Sequence, residues 1–261
     1  MEKNLKQIYE LMFQKLKEIS VDHGFEDVLV GRRKGFEEKK KDGDDWLFES
    51  LSYCVFVSGF GADTVETKWD AIRTAFDGFS IKRVASYGEE DADRIMQTDG
   101  IIRNERKIRA VIKNAKEMER LQQKYGGFAA YIESFNNQEE LLNDMIERFC
   151  FMGPKTARDY LRDIGFNFIK PDVVVTRIMH RLGLISSAKD DENTVNDVLL
   201  VAKEISTQTN EPLGIVDAVF WFYGARDRRE VKKVICGNVP LCQECPVNFC
   251  CDYYQKQRLE N

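Results

Sequence analysis

Apolar residues recur along the chain at spacings of three and four, which is the period of an amphipathic helix. This pattern predicts helices at 4–18, 46–59, 64–76, 101–125, 139–148, 154–164, 172–183, 192–207 and 212–223. Short turns that contain glycine separate several of them, at 59–61, 77–78, 99–100, 126–127 and 183. Alternating strand patterns are almost absent. The sequence therefore predicts an all-α fold.

The segment 31–45, GRRKGFEEKKKDGDD, is dense in charge and interrupts the helical pattern. It predicts a polar, solvated loop between the first helix and the rest of the chain. With 261 residues, the chain is long enough for one large or two small domains with their own cores.

The chain contains no apolar run near the roughly 18 residues of a membrane helix. Its N-terminus, MEKNLKQIYELMFQKL, is amphipathic and lacks the apolar core of a signal peptide. We therefore expect no membrane association. The expected location is the cytoplasm, at the nucleoid, or the nucleus if the source is eukaryotic.

Five of the seven cysteines lie close together near the C-terminal end of the chain. Cys236, Cys242, Cys245 and Cys251 form a C-x5-C-x2-C-x5-C array, with Cys250 beside the last. In a reducing compartment such an array favours metal binding over disulfides. Four thiolates suit either zinc or an iron–sulfur cluster.

The segment 148–157, RFCFMGPKTA, joins two predicted helices and carries the most chemistry. Pro154 suits the first position of a helix, so the N–H groups of Gly153, Lys155 and Thr156 would point outward from a helix N-terminus, where a phosphate oxygen can bind. The helix dipole at this position is expected to lower the pKa of Lys155, which favours a nucleophile. A lysine that only contacts phosphate is the alternative.

Asp172 follows Lys155 by seventeen residues and begins the next apolar helix. Its ordinary role is that of an N-cap. Beside a phosphate-binding turn, its carboxylate would also stabilise positive charge that develops on a deoxyribose.

The residues from Gly153 to Ala157, the Pro171-Asp172 pair and the terminal cysteines resemble the helix-hairpin-helix DNA glycosylases. The cysteine tail is similar to the iron–sulfur motif of the endonuclease III branch. The middle of the chain is similar to 3-methyladenine DNA glycosylase I, at 47–49, 69–79, 89–91 and 100–107. Together these similarities cover 46–255.

The resemblance implies two helical lobes. The first, 46–168, would be a helical barrel that includes the hairpin at about 145–165. The second, 1–45 with 169–261, would carry Asp172 and a structural [4Fe–4S] cluster held by Cys236, Cys242, Cys245 and Cys251, with zinc as the alternative. A damaged base would rotate out of the duplex into a pocket between the lobes.

The resemblance also implies roles for individual residues. Lys155 would attack the sugar, form a Schiff base and permit β-elimination, with Asp172 assisting. Contacts with double-stranded DNA are implied for Gly153, Thr156 and Arg158, and Phe60 and Ile101 would fill the gap left by the rotated base. We expect a monomer.

Three departures from these families stand out. Phe151 occupies the position of the first of two hairpin glycines, and the gap between Cys236 and Cys242 is one residue short. Cys54 and Ala62 stand where 3-methyladenine DNA glycosylase I has its base-recognising glutamate and stacking tryptophan.

The net charge of −5 is unusual for a DNA-binding protein. Local patches are basic, however. Residues 145–183 hold seven Lys and Arg against four Asp and Glu, and 226–233 hold five against two. Phosphate binding responds to such patches.

The leading interpretation is a DNA glycosylase and AP lyase that removes a damaged base. Lys155 favours oxidised or ring-opened bases, whereas the middle segment favours alkylated purines. The alternatives are a monofunctional alkylated-base glycosylase and a non-catalytic damaged-DNA-binding module.

Overall fold

The computed structural model describes residues 3–225 and 228–260. Regular secondary structure in these ranges is helical, apart from one antiparallel bridge between Ser20 and Val231. The predicted all-α fold is confirmed. Among the described residues, no helix has the length and apolar character needed to cross a membrane.

The chain divides into two compact units. The terminal unit comprises Met1–Lys34 and Asn167–Asn261, and the central unit comprises Gly35–Phe166. The boundaries expected from the sequence, at 45/46 and 168/169, differ mainly at the first position. The difference arises because the residues after 34 pack within the central unit.

The described part of the terminal unit contains six helices: α1 Leu5–Glu18, α2 Gly24–Arg33, α13 Val173–Arg181, α14 Glu192–Thr209, α15 Leu213–Gly224 and α16 Asp252–Glu260. The central unit contains ten: α3 Phe36–Lys39, α4 Asp44–Val57, α5 Ala62–Glu66, α6 Trp69–Ala75, α7 Ile81–Ala85, α8 Glu89–Gln97, α9 Glu105–Tyr125, α10 Phe128–Glu133, α11 Gln138–Arg148 and α12 Pro154–Asp163. Single 3₁₀ turns lie at Lys40–Asp42, Asp77–Phe79, Cys242–Glu244 and Asn248–Cys250.

Helix α15 forms the centre of the terminal unit. Its sequence, LGIVDAVFWFYG, is apolar on nearly all sides, which is the signature of a buried helix. Helices α1, α2, α13 and α14 pack around it. Gly224 ends α15 where a Cβ atom would lie 2.7 Å from Ile178 Cδ1 and 3.0 Å from Cys236 O. Its lack of a side chain lets α13 and the cysteine segment approach closely.

Helix α9 organises the central unit. It is amphipathic over 21 residues, and its apolar face packs against α4, α7, α8 and α10. An aromatic cluster fills the space beside α4, in which Phe79 stacks on both Trp69 and Phe76 with centroids 5.1 and 5.5 Å apart.

The predicted loop at 31–45 is wrong, because most of this segment is helical. Its apolar residue Phe36 is buried, with its ring 5.2 Å from that of Phe166. Asp44 begins α4 and accepts the N–H groups of Phe128 and Ala129 at 2.6 and 3.0 Å. The charged residues lie on the exposed faces of short helices. Because these residues are so dense in the sequence, they hid the helical pattern.

Two other predicted helices have different bounds. The helix expected at 64–76 is divided into α5 and α6, and that expected at 101–125 begins at Glu105 because Asn104 caps it. Helices α2, α7, α8, α10 and α16 lie in segments for which no helix was predicted. The glycine-containing turns are confirmed, since Gly59, Gly78, Gly100, Gly126 and Gly183 have positive φ angles.

Candidate DNA-contacting and cysteine sites

A five-residue turn, 149–153, joins α11 to α12. Pro154 is the first residue of α12, and Gly153 is its N-cap with φ −66° and ψ 171°. A Cβ atom on Gly153 would meet no atom within 4 Å, so the backbone here is open to a ligand. The turn and helix start predicted from the sequence are therefore present.

Asn114 of α9 holds this turn. Its Nδ2 donates to Cys150 O at 3.1 Å, and Cys150 N–H donates to Asn114 Oδ1 at 2.8 Å. Asn114 is buried, and these two bonds use one of its two N–H donors and its carbonyl oxygen. Asn114 was not among the site residues predicted from the sequence. A polar position on the apolar face of α9 is the signal that could have revealed it.

Phe151 has a left-handed backbone, with φ +63°. The resemblance noted in the sequence places the first hairpin glycine at this position, and the conformation is unfavourable for a bulky side chain. The ring of Phe151 lies 5.9 Å from the guanidinium of Arg106, an exposed residue near the start of α9. The turn therefore adopts a glycine-like conformation without the glycine.

Lys155 and Thr156 lie in the first turn of α12 and are half-buried. Arg158 is also half-buried and lies 3.8 Å from Glu139 Oε2. Burial lowers the pKa of the Arg158 guanidinium. Arg158 thus has an intramolecular partner as well as its predicted role towards DNA.

Asp172 is the N-cap of α13, as the sequence predicts. Its Oδ1 atom accepts the N–H groups of Val174 and Val175 at 2.8 and 3.0 Å. Both bonds use Oδ1, so the cap does not engage Oδ2. Asp172 belongs to the terminal unit and Lys155 to the central unit, and each is fixed by its own helix start.

Phe60 and Ile101 differ in exposure. Phe60 lies in the turn after α4 and is 41% exposed, whereas Ile101 is only 7% exposed. Lys107, which the sequence analysis did not single out, lies 4.5 Å from the centroid of the Phe60 ring. Of the two residues expected to fill the gap in DNA, Phe60 is the one that is available at the surface of its unit.

The basic patch predicted within 145–183 is largely paired inside the protein. Arg148 binds Asp144 and Glu117, which raises the pKa of its guanidinium, and Arg162 binds Asp159 and Asp163. Asp144 and Glu117 lie outside 145–183, so they lower the positive charge of this segment further.

In the second basic patch, Arg226 and Asp227 lie outside the described residues. Arg228 pairs with Glu230 at 2.7 Å, and Lys233 pairs with Glu244. The excess of basic residues in these two segments therefore overstates the positive surface available to phosphate.

The four arrayed cysteines line one cavity in the terminal unit. Cys236, Cys242, Cys245 and Cys251 contribute to its lining together with Arg181 and Tyr223, whereas Cys250 does not.

Polar contacts surround these thiols. Arg181 Nη1 lies 3.4 Å from Cys236 Sγ, and Tyr223 Oη lies 3.2 Å from Cys245 Sγ. Burial raises the pKa of Cys245 to about 11. A thiol with this pKa stays protonated at neutral pH unless a bound metal displaces the proton.

Within the described residues, no three His, Cys, Asp or Glu side chains are arranged to hold a single metal ion. A zinc site would need its four sulfur atoms at about 2.3 Å from one point. In a [4Fe–4S] cluster each thiolate binds a different iron, so the sulfur atoms surround a larger body. Four thiols around one cavity are a donor set that either zinc or an iron–sulfur cluster could use.

The fold is that of the DNA glycosylases. The 8-oxoguanine glycosylase/lyase of Methanocaldococcus jannaschii, solved in complex with a 15mer DNA containing 8-oxoguanine, covers 83% of this chain with a TM-score of 0.63. The similarity includes 96% of that chain at 13% identity. The 8-oxoguanine DNA glycosylase of Thermotoga maritima matches 85% of this chain with a TM-score of 0.55 and 19% identity.

Residues 37–192 match the methyladenine glycosylase family, and the chain belongs to that family. DNA-3-methyladenine glycosylase of Haemophilus influenzae is 33% identical over 149 residues, which are 56% of this chain and 80% of that protein. The 8-oxoguanine DNA glycosylase/AP lyase of Korarchaeum cryptofilum is 21% identical over 203 residues, 75% of this chain and 87% of that protein. Family membership makes this chain a DNA glycosylase of base excision repair.

Proposed function

We propose that this DNA glycosylase also cleaves the DNA strand, with Lys155 as the nucleophile and Asp172 as its assisting carboxylate. The observation that carries the proposal is the position of Lys155 in the first turn of α12, two residues after the exposed N-cap Gly153. A helix start points backbone N–H groups outward and favours phosphate binding, so a lysine in its first turn would lie beside the sugar. The likeness to an enzyme named 8-oxoguanine DNA glycosylase/AP lyase, over 75% of the chain, supports it.

In the proposed reaction, the Lys155 amine attacks C1′ of the deoxyribose and the bond from C1′ to the base breaks. The base leaves with the bonding electrons and takes up a proton. Transfer of the remaining amine proton to the ring oxygen O4′ breaks the C1′–O4′ bond, which opens the sugar and gives the imine. The imine makes the C2′ proton acidic, and loss of this proton to solvent expels the 3′ phosphate by β-elimination. One water molecule then hydrolyses the imine and releases Lys155.

Asp172 supports two parts of this reaction. Its carboxylate accepts the ammonium proton, which frees the amine, and its negative charge stabilises the oxocarbenium-like transition state. Because the cap uses Oδ1, Oδ2 is the atom proposed to take the proton. A single aspartate thus serves both the helix and the chemistry.

The damaged base is proposed to be oxidised, ring-opened or alkylated. The lysine nucleophile favours oxidised or ring-opened bases, and the family match favours alkylated purines. Cys54 is buried within α4, and Ala62 begins α5. A thiol and a methyl group in place of a glutamate and a tryptophan would give a pocket with different chemistry from that of 3-methyladenine recognition.

A monofunctional alkylated-base glycosylase is the second candidate. The family match over 37–192 favours it, and in that case Lys155 would only bind phosphate while water attacks the sugar. A non-catalytic damage-binding module gives no reason for the presence of both Lys155 and Asp172.

The four-cysteine cavity is proposed to hold a structural [4Fe–4S] cluster through Cys236, Cys242, Cys245 and Cys251, with zinc as the alternative. A cluster at this position would cross-link the segment 236–251 and stabilise the terminal unit. We assign it no part in the reaction. The protein is proposed to act as a monomer on double-stranded DNA.

The test of the proposed function is borohydride trapping on a panel of duplexes that each carry one lesion. Wild type should form a covalent adduct on at least one lesion. Lys155→Ala should form none, while Lys113→Ala, which alters an exposed lysine of α9, should behave like wild type. Base release without any adduct would establish the monofunctional alternative. No release from any duplex would exclude both enzymatic proposals.

A further inference from the structure

Lys107 is a buried cation that has no acidic partner among the described residues. Its side chain is only 2% exposed, and it lies in the first turn of α9 behind the Asn104 cap. Its Nζ atom donates to Phe56 O at 2.6 Å and also to Ser58 O. A lysine is rarely buried without a carboxylate, so its position calls for a specific reason.

The two carbonyls that bind Lys107 belong to the end of α4 and the turn that follows it. Helix C-termini leave carbonyl groups unbonded and carry partial negative charge, and both features favour a cation. The turn itself bends back on the helix, because Gly59 has φ +77° and Phe60 N–H donates to Val57 O at 2.9 Å. Lys107 thus supports this turn from its buried side by binding these two carbonyl groups.

The same ammonium faces the ring of Phe60 at 4.5 Å from its centroid. An exposed phenylalanine at a loop tip would ordinarily sample several rotamers. A desolvated cation held by two carbonyls attracts the ring face and favours one of them. Phe60 is therefore both presented at the surface and fixed in orientation.

We propose that Lys107 is a positioning residue that holds Phe60 ready to enter the space left when the damaged base rotates out of the duplex. This inference rests on the proposed function. Preorganisation is the physical advantage, since ordering the ring beforehand removes that entropy cost from DNA binding.

Helix α9 extends this role to a second turn of the central unit. Seven residues after Lys107, Asn114 binds the backbone of Cys150 in the turn between α11 and α12. One rigid helix therefore fixes both the Phe60 turn and the turn that precedes Lys155. Their spacing is set inside a single unit and does not depend on flexible loops.

The test uses a duplex with a stable abasic-site analogue and 2-aminopurine at the neighbouring base. Insertion of a ring beside 2-aminopurine changes its fluorescence, so wild type should give a signal that Phe60→Ala abolishes. Lys107→Met should lower the signal at saturating protein, and its binding of this duplex should weaken by about fivefold, because the Phe60 ring must then be ordered on binding. The variant with both Lys107→Met and Phe60→Ala should bind this duplex no more weakly than Phe60→Ala alone. Lys107→Arg, which keeps the positive charge, should give the fluorescence signal that Lys107→Met loses.

Two results would overturn the inference: a full signal from Lys107→Met when Phe60→Ala has none, or a wild-type signal that Phe60→Ala leaves intact. If Lys107→Met does not fold, Lys107→Gln carries the same comparison. Borohydride trapping of each folded variant on a natural abasic site keeps the two proposals separate. Trapping without a signal dependent on Phe60 contradicts the role of Lys107, whereas a normal signal without trapping contradicts the lyase.

Discussion

Asn114 and Cys150 bind each other through a reciprocal pair of hydrogen bonds, side-chain amide to backbone peptide, at 3.1 and 2.8 Å. The pair joins the middle of α9 to the turn that leads into α12. Because Cys150 contributes only backbone atoms, any residue except proline could take part at 150, whereas position 114 requires a side chain with both a donor and an acceptor. The start of α12, and with it Lys155, thus depends on one buried asparagine.

Replacing Asn114 with alanine should destabilise the protein by about 2–3 kcal/mol, since it leaves the N–H and C=O groups of Cys150 without their partners. Borohydride trapping should also become slower, because the turn before Lys155 is loosened. Urea unfolding and single-turnover trapping measure the two effects. Asn143→Ala, at an exposed position on α11, is the control and should change neither.

Phe151 offers a test of its left-handed backbone. Phe151→Gly removes the steric cost of φ +63°, and Phe151→Ala retains it, while both lose the ring that faces Arg106. The glycine variant should therefore be more stable than the alanine variant by about 1 kcal/mol. Equal stabilities in urea unfolding would mean that the turn relaxes to a different conformation.

Asp172 allows its structural and chemical roles to be separated. Asparagine caps a helix about as well as aspartate, so Asp172→Asn should keep the stability of wild type, while Asp172→Ala should lose about 1 kcal/mol. Both should be strongly impaired in base release, since neither has a carboxylate to take the proton. Full activity in Asp172→Asn would show that Asp172 caps α13 but takes no part in the reaction.

Much of this architecture was predictable because it rests on local rules. The start of α12 followed from Pro154, and the cap of α13 from Asp172. The helices within 31–45 were not predictable in the same way, since burial of Phe36 against Phe166 is a contact between residues far apart in sequence.

The same limit applies to the candidate sites. Lys107 and Asn114 bind backbone groups about 50 and 36 residues away. A polar residue on an apolar helix face marks such a position, but the local pattern does not identify its partner. The ion pairs of Arg148 and Arg162 could not be predicted for a different reason. A charge count treats a basic residue as available whether or not a carboxylate lies on the next turn of its helix.

The cysteine cavity makes a prediction about neighbouring residues. Cys251 lines the cavity and Cys250 does not, so Cys251→Ser should lose bound metal while Cys250→Ser should keep it. Iron analysis of wild type should give about four irons per chain, with the absorption of an iron–sulfur protein. A colourless protein that contains zinc would instead support the alternative proposal of a zinc site. Iron retained in Cys251→Ser and lost in Cys250→Ser would reassign the fourth ligand.

Lys107 should give the folding stability a distinctive dependence on pH. Burial lowers the pKa of its ammonium to about 8 in the folded protein, against about 10.4 in an unfolded chain. Between these values the unfolded state binds more protons than the folded state, so stability rises as the pH increases through this window.

We expect the free energy of unfolding of wild type to rise by about 2 kcal/mol relative to Lys107→Met between pH 7.5 and 9.5. Urea unfolding of both variants across this range provides the measurement, and groups that titrate in both cancel in the difference. Lys113→Met, which alters an exposed lysine on the same helix, should follow wild type. If the free energies of unfolding of wild type and Lys107→Met changed with pH in parallel, the ammonium of Lys107 would be solvated. Lys107 would then not hold the turn of Phe60 through a buried charge.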